Sequence, residues 1–125
     1  DLSRVETPAY VQAGREDHIA PAHSVWKITD HFAGPLRFVL AGSGHIAGVV
    51  NPPSAQKYQY WTTDEPAATL AEFVANATET KGSWWPDWKG WIEGFGEPRA
   101  AAKGARIPKH DQGLGDAPGR YVKTR

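Results

Sequence analysis

Two apolar runs, each ended by glycine and set one helix-length apart, constrain this chain more than any other feature. Ala9-Tyr10-Val11-Gln12-Ala13 follows Pro8 and stops at Gly14, while Leu36-Arg37-Phe38-Val39-Leu40-Ala41 follows Gly34-Pro35 and stops at Gly42-Ser43-Gly44. Runs of this length with this punctuation read as buried strands. Between them Ser24 is a good N-cap ahead of Val25, Ile28 and Phe32 at helical spacing, with Gly34-Pro35 as the stop signal. The order strand, helix, strand in about 30 residues predicts a βαβ crossover with two parallel strands.

A parallel pair also directs where chemistry can occur, because ligands in such sheets bind beyond the carboxyl ends of the strands. Asp17 and His45 each lie in a loop leaving one of those ends, 28 positions apart. A histidine exchanges protons near neutral pH, and a carboxylate on its other ring nitrogen fixes the tautomer. Glycines just before His45 let the backbone turn sharply and hold the imidazole at the lip of the sheet. Asp17 and His45 therefore have the chemistry of an acid and a base whose nucleophile is missing. The order nucleophile, acid, histidine is that of an α/β-hydrolase site, which places the nucleophile before Asp1. The chain is accordingly expected to be a piece of a longer protein, lacking the nucleophile and inactive alone.

Other candidates are weaker. His18 adjoins Asp17, and neighbours in an extended loop usually point apart, so loop packing suits it better than catalysis. His18 with His23 fits no common zinc spacing. Ser43 is not in a G-x-S-x-G elbow and stands two residues from its supposed base.

Composition excludes several functions. The 125 residues have the length of one domain, and a formal charge of zero gives no global field for nucleic acid or anionic membrane. Residues 99–125 hold seven basic side chains against two acidic ones, read as a basic, largely irregular tail following a domain over 1–98. There is no cysteine, hence no disulfide or thiolate metal site in this segment. No apolar run approaches the ~20 residues of a membrane span, and a soluble, cytoplasmic protein is expected.

Further along, Val49-Val50-Asn51-Pro52-Pro53 ends regular structure. Asp64-Glu65-Pro66 predicts a helix start, with Leu70, Phe73, Val74 and Ala77 on one face and Lys81-Gly82 as its end. Ser83 to Trp91 holds four of the six tryptophans. With Pro86 in a first helical turn, Trp84, Trp88, Trp91 and Phe95 line one stripe, read as core or as the wall of a substrate or association surface.

Several segments together are more specific than this general logic. Gly14-Arg15-Glu16-Asp17-His18-Ile19, Gly34-Pro35-Leu36-Arg37-Phe38-Val39-Leu40, Ser43-Gly44-His45-Ile46-Ala47-Gly48-Val49-Val50-Asn51-Pro52-Pro53, Gly82-Ser83-Trp84-Trp85-Pro86-Asp87-Trp88 and Ala117-Pro118-Gly119-Arg120-Tyr121-Val122 occur in this order. They resemble the carboxyl-terminal part of the class I polyhydroxyalkanoate synthases over essentially the whole chain. The resemblance implies the carboxyl-terminal portion of an α/β-hydrolase fold, with parallel strands and covering helices, then a Trp-rich helix and the basic tail. It implies an acyltransferase that polymerises (R)-3-hydroxyacyl-CoA, 3-hydroxybutyryl-CoA in the first place, with release of CoA.

In that family the chain grows on a cysteine in an upstream G-x-C-x-G elbow. Asp17 matches the catalytic acid and His45 the general base. The resemblance further implies a growing polyester chain and granule surface as partners, a cytoplasmic location at granules and a homodimer of the full enzyme. No cofactor, metal, nucleic acid or transmembrane segment is expected. Two other readings stay open from sequence: an esterase or depolymerase with an upstream serine, and a non-catalytic module that binds polyester or a partner.

Overall fold

The computed structural model describes residues 1–96 and 117–124. They belong to two compact units, 1–94 and 95–125. The first unit holds a four-stranded sheet: β1 (Ala9–Gly14), β2 (Leu36–Ala41), β3 (Gln59–Thr62) and β4 (Thr78–Lys81), adjacent in that order. Its helices are α1 (Ala22–Trp26), α2 (Leu70–Asn76) and α3 (Trp85–Glu93). Of the second unit, the described residues include one short helix, α4 (Arg120–Lys123), with Tyr121 and Val122 exposed. The expected basic tail lies mostly outside the described residues.

β1 and β2 run parallel in the register Ala9 with Leu36 through Gly14 with Ala41, as the crossover requires. The connecting helix is shorter than its apolar spacing predicts. It starts after Pro21 rather than at Ser24: the Pro21 carbonyl accepts the N–H groups of Ser24 and Val25 at 2.8 and 3.1 Å, and Ser24 becomes an interior residue. After Trp26 it tightens into a 3-10 turn over Lys27–Asp30, where the Thr29 hydroxyl donates to the Trp26 carbonyl at 2.8 Å.

The second half of the sheet is a correction to the expected parallel architecture. β3 pairs antiparallel with β2, Leu40 opposite Trp61 and Ala41 opposite Tyr60, and β4 returns antiparallel along β3. The expected helix from Pro66 to Lys81 is accordingly cut at both ends. Thr69 caps it, accepting the Glu72 N–H at 3.2 Å, while the Glu72 carboxylate accepts the Ala68 N–H at 2.8 Å. At its other end Ala77 turns extended, and Thr78-Glu79-Thr80-Lys81, exposed throughout, forms an edge strand. A polar, lysine-ended edge discourages pairing with other chains.

Strand alternation sorts the side chains onto two faces. On one face Ala13, Phe38, Leu40, Trp61 and Phe73 form the buried core, with Val25 and Trp26 of α1 and Leu70 of α2 packed against it. Trp26, Phe38 and Phe73 meet pairwise at centroid distances of 4.8 to 5.4 Å, two of the three pairs edge-on. Fully burying one such ring contributes roughly 2–3 kcal/mol. On the other face Tyr10 and Arg37, paired across β1 and β2, receive α3. The Tyr10 hydroxyl donates to Asp87 Oδ2 at 2.9 Å, and Arg37 donates to both Asp87 oxygens, at 2.9 and 2.6 Å. The sheet is therefore covered on both faces, as a parallel strand pair demands.

Pro86 stands in the first turn of α3 as expected. The stripe divides, however. Trp84 stacks on Tyr10 at 5.9 Å and Trp91 tilts against it at 5.4 Å, whereas Trp88 is 41% exposed. Phe95 falls in the other unit.

Candidate functional site

The loops leaving β1 and β2 are joined before either candidate side chain is considered. Beyond the last paired residues, the Arg15 N–H donates to the Ala41 carbonyl at 2.8 Å and the Glu16 N–H to the Ser43 carbonyl at 3.2 Å. Glycine at position 14 leaves room for this close approach. A Cβ there would lie 3.1 Å from Asp17 Cβ and 3.2 Å from the Ser43 oxygen. The sharp bend before His45 falls on Ser43, at φ 76°, rather than on the glycines beside it. Left-handed backbone at a non-glycine residue costs about 1 kcal/mol, and its return here is a Ser43 carbonyl aimed at the neighbouring loop.

Asp17 closes the β1 loop. Its N–H donates to the Gly14 carbonyl at 3.3 Å, and its Oδ1 accepts from the N–H groups of Ile19 and Ala20, both at 2.9 Å. That leaves Oδ2 for the imidazole: His45 Nδ1 lies 2.8 Å away. The ordinary turn role of an aspartate and its pairing with a histidine are thus divided between two oxygens of one carboxylate. Asp17 is buried, at 9% exposure. The Ala20 N–H foremost, then His45 and the Ile19 N–H, hold its carboxyl below the ordinary carboxylate range, against the opposing effect of burial. An ionised carboxylate only accepts, so Nδ1 donates in this contact, and a neutral ring held this way has its lone pair on Nε2. His45 keeps 46% of its side chain exposed, so the ring is anchored by Asp17 and still half open.

The His45 turn is itself tightly built. The Gly48 N–H donates to the Gly44 carbonyl at 3.0 Å and the Val50 N–H to the Ile46 carbonyl at 2.8 Å. A Cβ on Gly48 would stand 2.7 Å from the Gly42 oxygen and 3.0 Å from the Gly44 oxygen, so glycine is required there. From the far side the Trp84 indole N–H donates to the Gly48 carbonyl and the Trp85 indole N–H to the Val49 carbonyl, each at 3.0 Å. Next to the Asp17 loop, the Arg15 guanidinium lies 4.6 Å from the Trp61 ring centroid.

The structure thus brings Asp17 and His45 together. It leaves His18 exposed in the loop, and it turns the Ser43 carbonyl, not its hydroxyl, to the Asp17 segment. Among the described residues no three histidine, aspartate or glutamate side chains gather to hold a metal ion. Sequence reasoning missed the indole contacts to the His45 turn. The available signal was the adjacent Trp84-Trp85 pair, since a half-buried indole N–H requires an acceptor.

Among the described residues no helix is long and apolar enough to cross a membrane. No family model matches the chain. Individual proteins do match. The chain is 48% identical over 124 residues to the poly(3-hydroxyalkanoate) polymerase subunit PhaC of Rhizobium meliloti, covering 99% of this chain and 20% of that protein. It is 42% identical to the corresponding subunit of Cupriavidus necator over the whole chain and 21% of that protein. It is 37% identical to poly(3-hydroxyalkanoate) polymerase 2 of Ectopseudomonas oleovorans over the whole chain and 22% of that protein. The chain spans about a fifth of the length of these relatives. The resemblance to polyhydroxyalkanoate synthases read from the motifs is therefore homology, extending from end to end of the chain.

Proposed function

We propose that this chain is the acid and base segment of a polyhydroxyalkanoate synthase, set on the carboxyl-terminal portion of an α/β-hydrolase fold. The observation that carries the reading is the 2.8 Å contact between Asp17 Oδ2 and His45 Nδ1 at the carboxyl ends of two parallel strands. Homology to proteins named as polymerases favours chain growth over ester hydrolysis or simple binding.

In this mechanism His45 Nε2 takes the proton of an upstream cysteine thiol, and the thiolate attacks the carbonyl of (R)-3-hydroxyacyl-CoA. The C–S bond to CoA breaks, a new thioester forms on the enzyme, and the proton on His45 leaves with CoA. The exchange of one thioester for another is nearly balanced in energy, so the protein supplies mainly the thiolate and the geometry. His45 then deprotonates the 3-hydroxyl of a further (R)-3-hydroxyacyl-CoA, which attacks the acyl-enzyme carbonyl. The new ester bond forms as the C–S bond to the cysteine breaks, and the freed thiolate takes the proton back through His45. The chain, one unit longer, returns to the cysteine by the same thioester exchange with release of CoA. Asp17 holds the tautomer and stabilises the imidazolium in both steps. The same reading places the whole enzyme in the cytoplasm at granule surfaces, as a homodimer with the growing polyester as its partner.

The test is CoA release from (R)-3-hydroxybutyryl-CoA by the full-length polymerase, wild type against His45→Gln. A positioned general base contributes about 10²- to 10⁴-fold, so release should fall by at least about a hundredfold. A folded variant that keeps its rate would overturn the assignment.

A further inference from the structure

We propose that Trp84 and Trp85 are positioning residues for His45, acting as a paired clamp on the turn that presents the imidazole. The proposal rests on the reading of His45 as the base. The bonds inside the turn, from Gly48 N–H to the Gly44 carbonyl and from Val50 N–H to the Ile46 carbonyl, set its shape. They do not fix where the turn sits over the sheet. The Glu16 N–H ties the start of the turn to the β1 loop through the Ser43 carbonyl, and the two indole N–H groups tie its far part, each from 36 positions along the chain, two adjacent indoles taking two adjacent carbonyls.

The clamp is itself anchored to the strands that carry the site. Trp84 stacks on Tyr10 of β1, and Asp87, in the first turn of α3, is bound by the Tyr10 hydroxyl and the Arg37 guanidinium. The support runs from β1 and β2 through the start of α3 to the Gly48 and Val49 carbonyls, and so to His45. Asp17 reaches the same imidazole directly from the end of β1. The ring is thereby held through its Nδ1 edge and through its own backbone, both referred to one pair of strands. A half-exposed histidine held only by the carboxylate and by the Ser43 carbonyl two residues before it could still swing about those contacts. The indole clamp removes this freedom, and small displacements of a catalytic group are costly in rate.

Phenylalanine at 84 and 85 retains the aromatic contacts and removes only the donors. In the full-length polymerase, Trp84→Phe, Trp85→Phe and the double variant are compared with Ile92→Ala, which trims an exposed position of the same helix. His45→Gln is measured alongside. For CoA release from (R)-3-hydroxybutyryl-CoA, the double variant should lose about tenfold in kcat with KM held within about twofold. Its thermal midpoint should stay near that of wild type, and Ile92→Ala should keep wild-type kcat. Should the double variant not fold, the singles decide, each losing about threefold. A wild-type kcat in the indole variants overturns the clamp, and so does an equal loss in Ile92→Ala or a change confined to KM. Full activity in His45→Gln would remove the base assignment and the clamp together. An inactive His45→Gln beside fully active indole variants would remove the clamp alone.

Discussion

Replacing Asp17 with asparagine separates the two tasks its carboxylate performs. In the native chain Oδ1 accepts two backbone N–H groups, from Ile19 and Ala20, while Oδ2 accepts the imidazole N–H. In Asp17→Asn the amide oxygen must stay with the backbone donors, since an NH₂ group there would set donor against donor. The NH₂ then faces His45 Nδ1 and forces that nitrogen to accept. The ring proton moves to Nε2, where the base needs its lone pair. In the Ser-His-Asp template the same substitution lowers kcat about 10⁴-fold through the wrong tautomer. Here the imidazole is 46% exposed, so water can stabilise part of the productive tautomer. The expected loss is correspondingly about 10³- to 10⁴-fold. The fold should hardly notice, because both backbone bonds survive. The assay is CoA release by the full-length polymerase at saturating (R)-3-hydroxybutyryl-CoA, with the melting temperature measured on the same protein. Asp17→Ala is the companion, since it strands both N–H groups and should lower the melting temperature as well as the rate. Retention of more than about a tenth of wild-type kcat by a folded Asp17→Asn would refute the tautomer argument.

Two other perturbations probe the supports of the site. Gly48→Ala places a methyl group 2.7 Å from the Gly42 oxygen, and that backbone must move, so kcat should fall about tenfold with KM little changed; steady-state kinetics decides. Asp87→Asn tests the ion pair beneath α3. Burial alone would raise the Asp87 carboxyl, but the Arg37 guanidinium and the Tyr10 hydroxyl outweigh it and hold the group below its ordinary 3.8. A depressed carboxylate contributes stability that is complete above its unfolded pKa and is lost as pH falls through the lower folded value. Asp87→Asn should therefore cost about 2–3 kcal/mol at neutral pH, less than for a fully buried pair because Asp64 still holds Arg37. The gap from wild type should narrow as the pH is lowered below about 4, which denaturant melts across pH will measure.

Much of the site was legible because its signals are local. The glycine stops after Ala13 and Ala41 end two buried runs, and a parallel crossover necessarily brings the loops after them side by side, so Asp17 and His45 could be paired from spacing alone. The antiparallel half of the sheet was not legible for the opposite reason. Thr78-Glu79-Thr80-Lys81 is polar and carries no burial pattern, and its partner Gln59-Tyr60-Trp61-Thr62 is short. Their pairing follows from the position of β2, which no local window contains. Helix ends were misplaced: α1 begins after Pro21 rather than at Ser24, and α2 begins after Thr69, whose hydroxyl accepts the Glu72 N–H, rather than at Pro66.

Order along the chain and the chemistry of side chains determined the parallel pair, the two candidate side chains Asp17 and His45 and the family resemblance, because hydrophobic periodicity and residue type act without reference to distant partners. Which oxygen of Asp17 serves the backbone and which serves the imidazole depended on how two loops meet in space. So did the bend at Ser43, the division of the tryptophans between Tyr10 and the His45 turn, and the Arg37–Asp87 anchor. Each of these is a hydrogen bond or close contact between segments far apart in sequence, and such contacts exist only once the chain has folded around them.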